Sequence, residues 1–101
     1  MSKLFTAFLL VTMLAVAFAA EDYCGKCQLM CEAARTKYNN DFTTVTSAQL
    51  VPFMEDQCKV QFQNFEVTVC KSVIDKNGDA MLAAFKRGDT NQQICAEGQL
   101  C

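Results

Sequence analysis

Histidine is absent from this 101-residue sequence. Its absence removes the Ser-His-Asp kind of catalytic triad, the common zinc-ligand sets and the simplest pH switch near neutrality. There is also no Asn-x-Ser/Thr triplet, so N-glycosylation is not expected. No nucleophile–base pair and no convincing metal site can be assembled from the remaining residues. We therefore expect neither an enzyme nor a cofactor-binding protein, although chemistry by unpaired carboxylates stays open.

The one long apolar run lies at the start of the chain and is short for a membrane span. Lys3 precedes apolar residues from 4 to 16, and Ala17-Phe18-Ala19 fits the small-x-small cleavage rule, with a cut after Ala20 as the near alternative. A transmembrane helix needs roughly 20 apolar residues with different flanks. We therefore predict a secretory signal peptide over residues 1–20 and a single domain over residues 21–101. The domain would be secreted, or delivered to the lumen of an acidic vesicle.

Basic residues are few in that domain. Eight Lys and Arg face eleven Asp and Glu over residues 21–101, which leaves a net charge of −3. Nucleic-acid binding depends on neutralising phosphates with basic side chains, so this balance argues against it. It does not favour strong attraction to anionic membranes at neutral pH either.

Apolar residues recur in steps of three and four, and alternation with a period of two is nowhere sustained. We predict an all-α domain of five helices, over about 22–39, 46–60, 65–76, 79–87 and from Asp89 onward. Asn39-Asn40-Asp41 would break the first helix, and Asn77-Gly78 would end the third. Pro52 should kink the second helix or delay its start. Asp89, with Gln92 three residues later, predicts a capping box for the last helix.

Cysteine is abundant, and all seven residues follow the predicted signal peptide, in a compartment where disulfides persist. A C-x2-C pair, Cys24 and Cys27, opens the domain, and a C-x5-C pair ends the chain. If Cys31 is set aside, spacing alone allows fifteen pairings of the other six. Antiparallel docking of the two ends would pair outer with outer and inner with inner. The bridges would then be Cys24–Cys101, Cys27–Cys95 and, across the turn between the second and third helices, Cys58–Cys70.

This six-cysteine frame, the C-x5-C ending and the helical pattern resemble the saposin-like (saposin B type) family. The resemblance covers residues 21–101, and the cysteine positions are its most specific part. It implies a five-helix domain, stapled by three disulfides, that binds lipid bilayers. Some members extract or present lipids, and others lyse microbial membranes. A single domain behind its own signal peptide, without glycosylation sites, is most similar to the pore-forming members, the worm caenopores and the amoebapores.

Cys31 departs from the family pattern. One interpretation is a buried free thiol that behaves as a small apolar residue on the inner face of the first helix. The other is an intermolecular disulfide that makes a covalent dimer. A redox role for the Cys24–Cys27 pair lacks the βαβ context of a thioredoxin fold, and a four-cysteine zinc site does not suit an oxidising compartment.

Two sets of residues are candidates for membrane contact. Lys86 and Arg87 could touch phospholipid headgroups, or simply be favoured at a helix end by the helix dipole. The second set consists of apolar residues of the second and third helices, most of which would fill the core. Five short helices can hardly bury all of them, and those that are exposed, or become exposed on opening, would enter the acyl region of a bilayer. The candidates are Phe53, Val60, Phe62, Phe65, Val69 and Val73. The segment 75–79 imitates a calcium loop, but it lacks the required glycine and glutamate, so we interpret it as a helix-ending turn capped by Asp79.

From these expectations we predict a secreted, antimicrobial protein of innate immunity that permeabilises phospholipid membranes. A homo-oligomer on the membrane is one form that it could take. Acidity should help, since the eleven carboxylates repel an anionic bilayer until some are protonated. The alternative is a lipid-transfer saposin that lifts a lipid from a membrane and presents it to a hydrolase or receptor. A disulfide-rich structural or signalling protein with no membrane role is the third hypothesis.

Overall fold

The described part of the chain, residues 22–101 of a computed structural model, contains four helices and no strand. They are α1 (Tyr23–Lys37), α2 (Ser47–Gln61), α3 (Phe65–Arg87) and α4 (Asn91–Glu97). The all-α class is confirmed, whereas the prediction of five helices is wrong by one. The predicted signal peptide, residues 1–20, lies outside the described residues.

The two middle helices that the sequence predicted are one continuous helix, α3, of 23 residues. The predicted break at Asn77-Gly78 is wrong, because neither residue leaves the helical conformation. The Asn77 side chain donates a hydrogen bond back to the Val73 carbonyl at 2.8 Å. Gly78 is buried, and a Cβ at this position would lie 2.6 Å from the Cγ2 of Val51 on α2. Its small size therefore serves the close approach of two helices rather than a turn, and residues 75–79 form neither a helix-ending turn nor a calcium loop.

The remaining helix ends follow local chemistry. The Asp22 side chain accepts a hydrogen bond from the Gly25 amide at the start of α1, and Asn39 and Asn40 adopt positive φ just after its end. The left-handed Gly88 ends α3 after Arg87, the residue at which the helix predicted over 79–87 also ends. The predicted cap of the last helix is wrong by one residue: Thr90 and Gln93 form the capping box.

Asp89 is not free to cap α4 because its groups are used elsewhere. Its carboxylate accepts from Arg87 at 2.8 Å, and its backbone carbonyl accepts from Arg35 on α1 at 2.7 Å. Pro52 does not delay α2, which begins at Ser47. Pro52 and Ala48, whose carbonyl loses a helical partner, are both exposed, so water can take the place of the missing amide.

The helices run antiparallel, and this places the connections at opposite ends of the bundle. The segments 38–46 and 88–90 lie at one end, which we call the hinge end. There Phe42 stacks on Phe85 at 4.3 Å between centroids, and Arg35 donates to Asn40 and to Asn91. The turn at 62–64 and the C-terminus lie at the opposite end, which we call the mouth. Between them the most deeply buried large side chains are Met30, Leu50, Met54, Cys31, Cys58 and Cys95.

Candidate functional site

Three disulfides divide the bundle into two covalent halves. Cys24–Cys101 and Cys27–Cys95 join α1 to the C-terminal segment that contains α4, and Cys58–Cys70 joins α2 to α3. This is the pairing that antiparallel docking of the two ends suggested. Within residues 22–101 no disulfide connects one half to the other. The chain joins the two halves only through the two connections at the hinge end. Disulfides of this kind suggest an oxidising, extracellular or secretory environment.

An apolar stripe is exposed at the mouth. Phe65 is the first residue of α3 and is 75% exposed, and Val69, one turn later, is 54% exposed. Val73 continues the stripe by another turn and is half-buried. Phenylalanine and valine at such exposure cost free energy in water, so we take this stripe as the starting point of the site.

A groove of about 250 Å³ lies beside the stripe. Its walls are apolar except for one carboxylate, and they come from α1, the turn at 62–64, α3 and the C-terminal segment. The lining residues are Tyr23, Phe62, Phe65, Glu66, Val69, Cys70, Val73 and Leu100. The sequence did not predict Tyr23 and Leu100 as site residues. Only the terminal disulfides bring the two ends of the domain together beside α3.

The groove leads towards a small cavity inside the bundle. This cavity, about 40 Å³ in volume, is lined mainly by apolar residues from all four helices, among them Met30, Met54, Ile74 and Ile94. It shares Cys70, Val73 and Leu100 with the groove. An apolar path therefore runs from the exposed stripe towards the middle of the core, between the two halves.

One hydrogen bond closes the mouth between the halves. The Tyr23 hydroxyl on α1 donates to the Glu66 carboxylate on α3. The Tyr23 ring also stacks on Phe62, with 5.7 Å between centroids, and the Lys26 amine lies 5.1 Å from the centre of the same Phe62 ring. The hydrogen bond is half-buried, so the seal at the mouth is a shallow one.

The predicted membrane contacts do not form one surface. Val60, Phe65 and Val69 are exposed, whereas Val73 and Phe53 are half-buried. Phe62 is buried in this conformation, and its ring forms part of the groove wall. Leu29, which the sequence analysis did not single out, is 57% exposed.

The basic pair is also displaced from the stripe. Lys86 and Arg87 are exposed at the far end of α3, which puts them roughly 30 Å from Phe65 at 1.5 Å per residue. Arg87 pairs with Asp89 at 2.8 Å and with Glu97 at 3.5 Å, so much of its charge is compensated. The hydrogen bond from Arg87 to Asp89 raises the pKa of the guanidinium. These two residues cannot anchor headgroups beside the groove.

Cys31 is the free cysteine of the described residues, and it is fully buried. Its Sγ lies 3.8 Å from the Sγ of Cys95. Burial raises the pKa of the Cys31 thiol to about 11, an effect that Arg35 partly opposes and Glu32 reinforces. In this conformation the thiol cannot reach another chain, so an intermolecular disulfide would first require the bundle to open.

The described residues contain one cluster that could supply three metal ligands, the sulfurs of Cys27, Cys31 and Cys95, all within 4.8 Å of one another. Two of these sulfurs form a disulfide and are not available as thiolate ligands.

Among residues 22–101, no helix has both the length and the apolar character required to cross a bilayer. Comparisons of the chain with protein-family models, curated proteins and solved structures gave no match.

Proposed function

We propose that the mature chain is a secreted, saposin-like protein that inserts into phospholipid bilayers and permeabilises them, with microbial membranes as its targets. The observation that carries this proposal is the exposed stripe of Phe65 and Val69 beside an apolar groove that leads into the core. A side chain that is unfavourable in water and connected to further apolar surface suits the boundary between headgroups and acyl chains.

The disulfide arrangement supports opening as the mechanism. Each half is stapled internally, and the two connections between the halves both lie at the hinge end. Rotation about that end would separate the halves most at the mouth, where the groove lies. The contacts that resist it there are the Tyr23–Glu66 hydrogen bond and the stacking of Tyr23 on Phe62.

Energetics indicate that the closed form alone binds membranes weakly. Burying one fully exposed Val or Phe side chain is worth roughly 1.5–3 kcal/mol, so the partly exposed Phe65 and Val69 contribute about 2–4 kcal/mol together. A binding free energy of about 4 kcal/mol corresponds to a dissociation constant near 1 mM. Opening would add Met30, Met54 and Ile74 to the inserted surface, and assembly of several copies would add more.

Acidic conditions should favour insertion. The domain carries eleven carboxylates against eight basic residues, and their repulsion from an anionic bilayer falls as they are protonated. A hydrogen bond to Asp75 raises the pKa of Glu55, so this carboxyl is neutralised at a higher pH than an isolated glutamate. Lys26, beside Phe62, is a cation that the structure does place at the groove. An acidic vesicle is therefore as suitable a destination as the cell exterior.

The size of the groove favours insertion over lipid carriage by a closed monomer. Pockets that enclose a drug-sized ligand usually measure about 300–1,000 Å³. The groove, at about 250 Å³, and the inner cavity, at about 40 Å³, are too small to enclose a whole phospholipid. A larger depression of about 570 Å³ shares Val69 and Val73 with the groove, but its walls include Lys76 and Glu97, which do not suit acyl chains. A lipid-transfer function would thus require the opened form or a pair of chains around one lipid.

The test is dye release from anionic and neutral liposomes at pH 5 and pH 7. We expect release at pH 5 that is lost when the disulfides are reduced. Phe65→Asp and Val69→Asp should each suppress it, since a carboxylate replaces the inserting side chain. Ala83→Asp is the matched control, because it adds the same charge at an exposed position of the same helix, about 20 Å or more from Phe65 and Val69.

Other outcomes would redirect the assignment. Lipid recovered in soluble protein complexes from intact vesicles, without dye release, would establish the lipid-transfer alternative. Equal release by Phe65→Asp and by the unmodified chain would show that the stripe is not the inserting surface. Failure to sediment with vesicles of any composition would leave a structural or signalling role.

A further inference from the structure

Three sulfur atoms lie together in the middle of the interface between α1 and α4. Cys27 and Cys31 are one turn apart on α1, and both face Cys95 on α4. Cys95 is bonded to Cys27, and its sulfur is in contact with the Cys31 thiol at 3.8 Å. A nucleophilic group is thus placed directly against the disulfide that it could attack. The membrane function proposed above makes no use of this arrangement.

We propose that the Cys31 thiol exchanges with the Cys27–Cys95 disulfide within the same chain. The protein then has two covalent registers, one with a Cys27–Cys95 bond and one with a Cys31–Cys95 bond. The Cys31 thiol loses its proton, and its sulfur attacks the Cys95 sulfur. A Cys31–Cys95 bond forms, the Cys27–Cys95 bond breaks, and Cys27 leaves as a thiolate that takes up the proton. One thiol and one disulfide are present before and after, so the step needs no outside oxidant or reductant.

The resting geometry holds this exchange back. Displacement at sulfur requires the attacking, central and leaving atoms to be nearly collinear, which would separate the Cys31 and Cys27 sulfurs by about 5.9 Å, the sum of 3.8 and 2.09 Å. They lie within 4.8 Å instead. The Cys31 side chain must therefore move before it can react. The inner cavity of about 40 Å³, which all three cysteines line, provides space for that movement.

The protonation state is a second restraint. Because burial raises the pKa of the Cys31 thiol to about 11, about one molecule in ten thousand carries the reactive thiolate at pH 7. On α1, Arg35 favours that thiolate and Glu32 opposes it, while Glu97 on α4 lines the same cavity. The cavity residues from α2 and α3 carry no charge; they are Met54, Cys70, Val73, Ile74, Asn77, Ala80 and Met81.

Neither register is excluded by chain topology. The existing bridge spans 68 residues, and a Cys31–Cys95 bridge would span four fewer, so loop closure is almost equally unfavourable in both. Exchange preserves the covalent link between α1 and α4 and moves it by one helical turn. It also transfers the free thiol from the fully buried Cys31 to Cys27, which is 8% exposed. The free thiol is therefore slightly more accessible to solvent after the exchange than before it.

The experiment follows the position of the single free thiol in the oxidised full chain. Samples are held at pH 7 or pH 9, with and without urea below the unfolding transition, and then acidified to stop exchange. After unfolding in acid, a maleimide labels the free thiol, and peptide fragmentation in a mass spectrometer identifies the labelled cysteine. We expect label on Cys27 as well as Cys31, appearing about 100-fold faster at pH 9 than at pH 7 because the thiolate fraction rises by that factor.

Two variants complete the test. In Cys27→Ser, we expect Cys31 and Cys95 to form a bridge, detected as a disulfide-linked peptide; in Cys31→Ser, no label should be incorporated. Label that stays on Cys31 under every condition would overturn the proposal. So would label on Cys58 or Cys70 as frequent as on Cys27, because that result indicates general scrambling. A Cys27→Ser chain with both remaining thiols free would contradict it independently.

Discussion

Gly78 offers a sharp test of how α2 and α3 pack. A methyl group at this position would lie 2.6 Å from the Cγ2 of Val51, closer than real Cβ atoms approach a neighbour. Val51 is half-buried against the core, and as a β-branched residue in a helix it is nearly restricted to one χ1 rotamer. The contact therefore cannot be relieved by rotation of a flexible side chain, and the helices themselves must move apart.

The magnitude follows from two opposing effects of Gly78→Ala. In an open helix interior, alanine is more favourable than glycine by about 0.5–1 kcal/mol. Overpacking a close helix contact costs about 1–3 kcal/mol. The overpacking cost exceeds the gain, and we expect Gly78→Ala to lower the free energy of unfolding by about 1 kcal/mol. In a Val51→Ala background the obstructing methyl is gone, and the same change should raise it by about 0.5–1 kcal/mol.

Urea unfolding of the oxidised protein, followed by circular dichroism, measures both values. Gly98→Ala is the matched control, because its Cβ would meet the Cys95 carbonyl at 3.8 Å and Val73 at 3.9 Å, which are ordinary contacts. It should cost no stability. If Gly78→Ala were stabilising by the same amount with and without the Val51 side chain, the close contact between α2 and α3 would be refuted.

Three further predictions concern the mouth, the carboxylates and the short disulfide. Tyr23→Phe keeps the ring but loses the hydrogen bond to Glu66 on α3, so the free energy of unfolding should fall by about 1 kcal/mol. Dye release at pH 5 should then rise about fivefold. Unchanged stability would contradict the role of this hydrogen bond in closing the mouth. Glu55→Gln should be more stable than the unmodified chain at pH 7. The unmodified chain gains stability as the pH falls through the raised pKa of Glu55, so urea midpoints of the two should converge towards pH 4; a constant difference would mean that Asp75 does not act on this carboxyl. Removing the Cys58–Cys70 bridge, which spans 12 residues, by Cys58→Ala with Cys70→Ala should lower the free energy of unfolding by about 3 kcal/mol. An unaltered urea midpoint would show that this disulfide does not stabilise the fold.

Much of the helical layout could be predicted because it depends on neighbours in sequence. The steps of three and four between apolar residues identify helices, and Gly88 ends α3 by adopting a left-handed conformation that favours glycine. Asn39 and Asn40 end α1 in the same way, with positive φ. Each of these signals acts within one turn of the chain, so no tertiary information is needed to interpret them.

Asn77-Gly78 shows where such signals fail. The pair has the local chemistry of a helix end, yet α3 continues through it because the missing side chain lets α2 approach. Asp89 failed as a cap for a related reason, since Arg35 and Arg87, one of them distant in sequence, use its acceptor groups. The first error comes from packing against another helix. The second comes from the neighbouring Arg87, which binds the carboxylate that would cap, and from Arg35 on α1, which binds the backbone carbonyl.

The candidate site depends still more on tertiary structure. The sequence by itself determined that the domain is helical, rich in disulfides and more apolar than a small core can absorb. The sequence could not determine which apolar residues stay exposed to solvent. Phe62 and Phe65 are three residues apart and equally apolar, yet Phe62 is buried and Phe65 is 75% exposed. The chain path fixed by the terminal disulfides decided that, because it places the Tyr23 ring against Phe62 and leaves Phe65 in water. The same folding placed Cys31 against Cys95, 64 residues away, where a thiol and a disulfide meet.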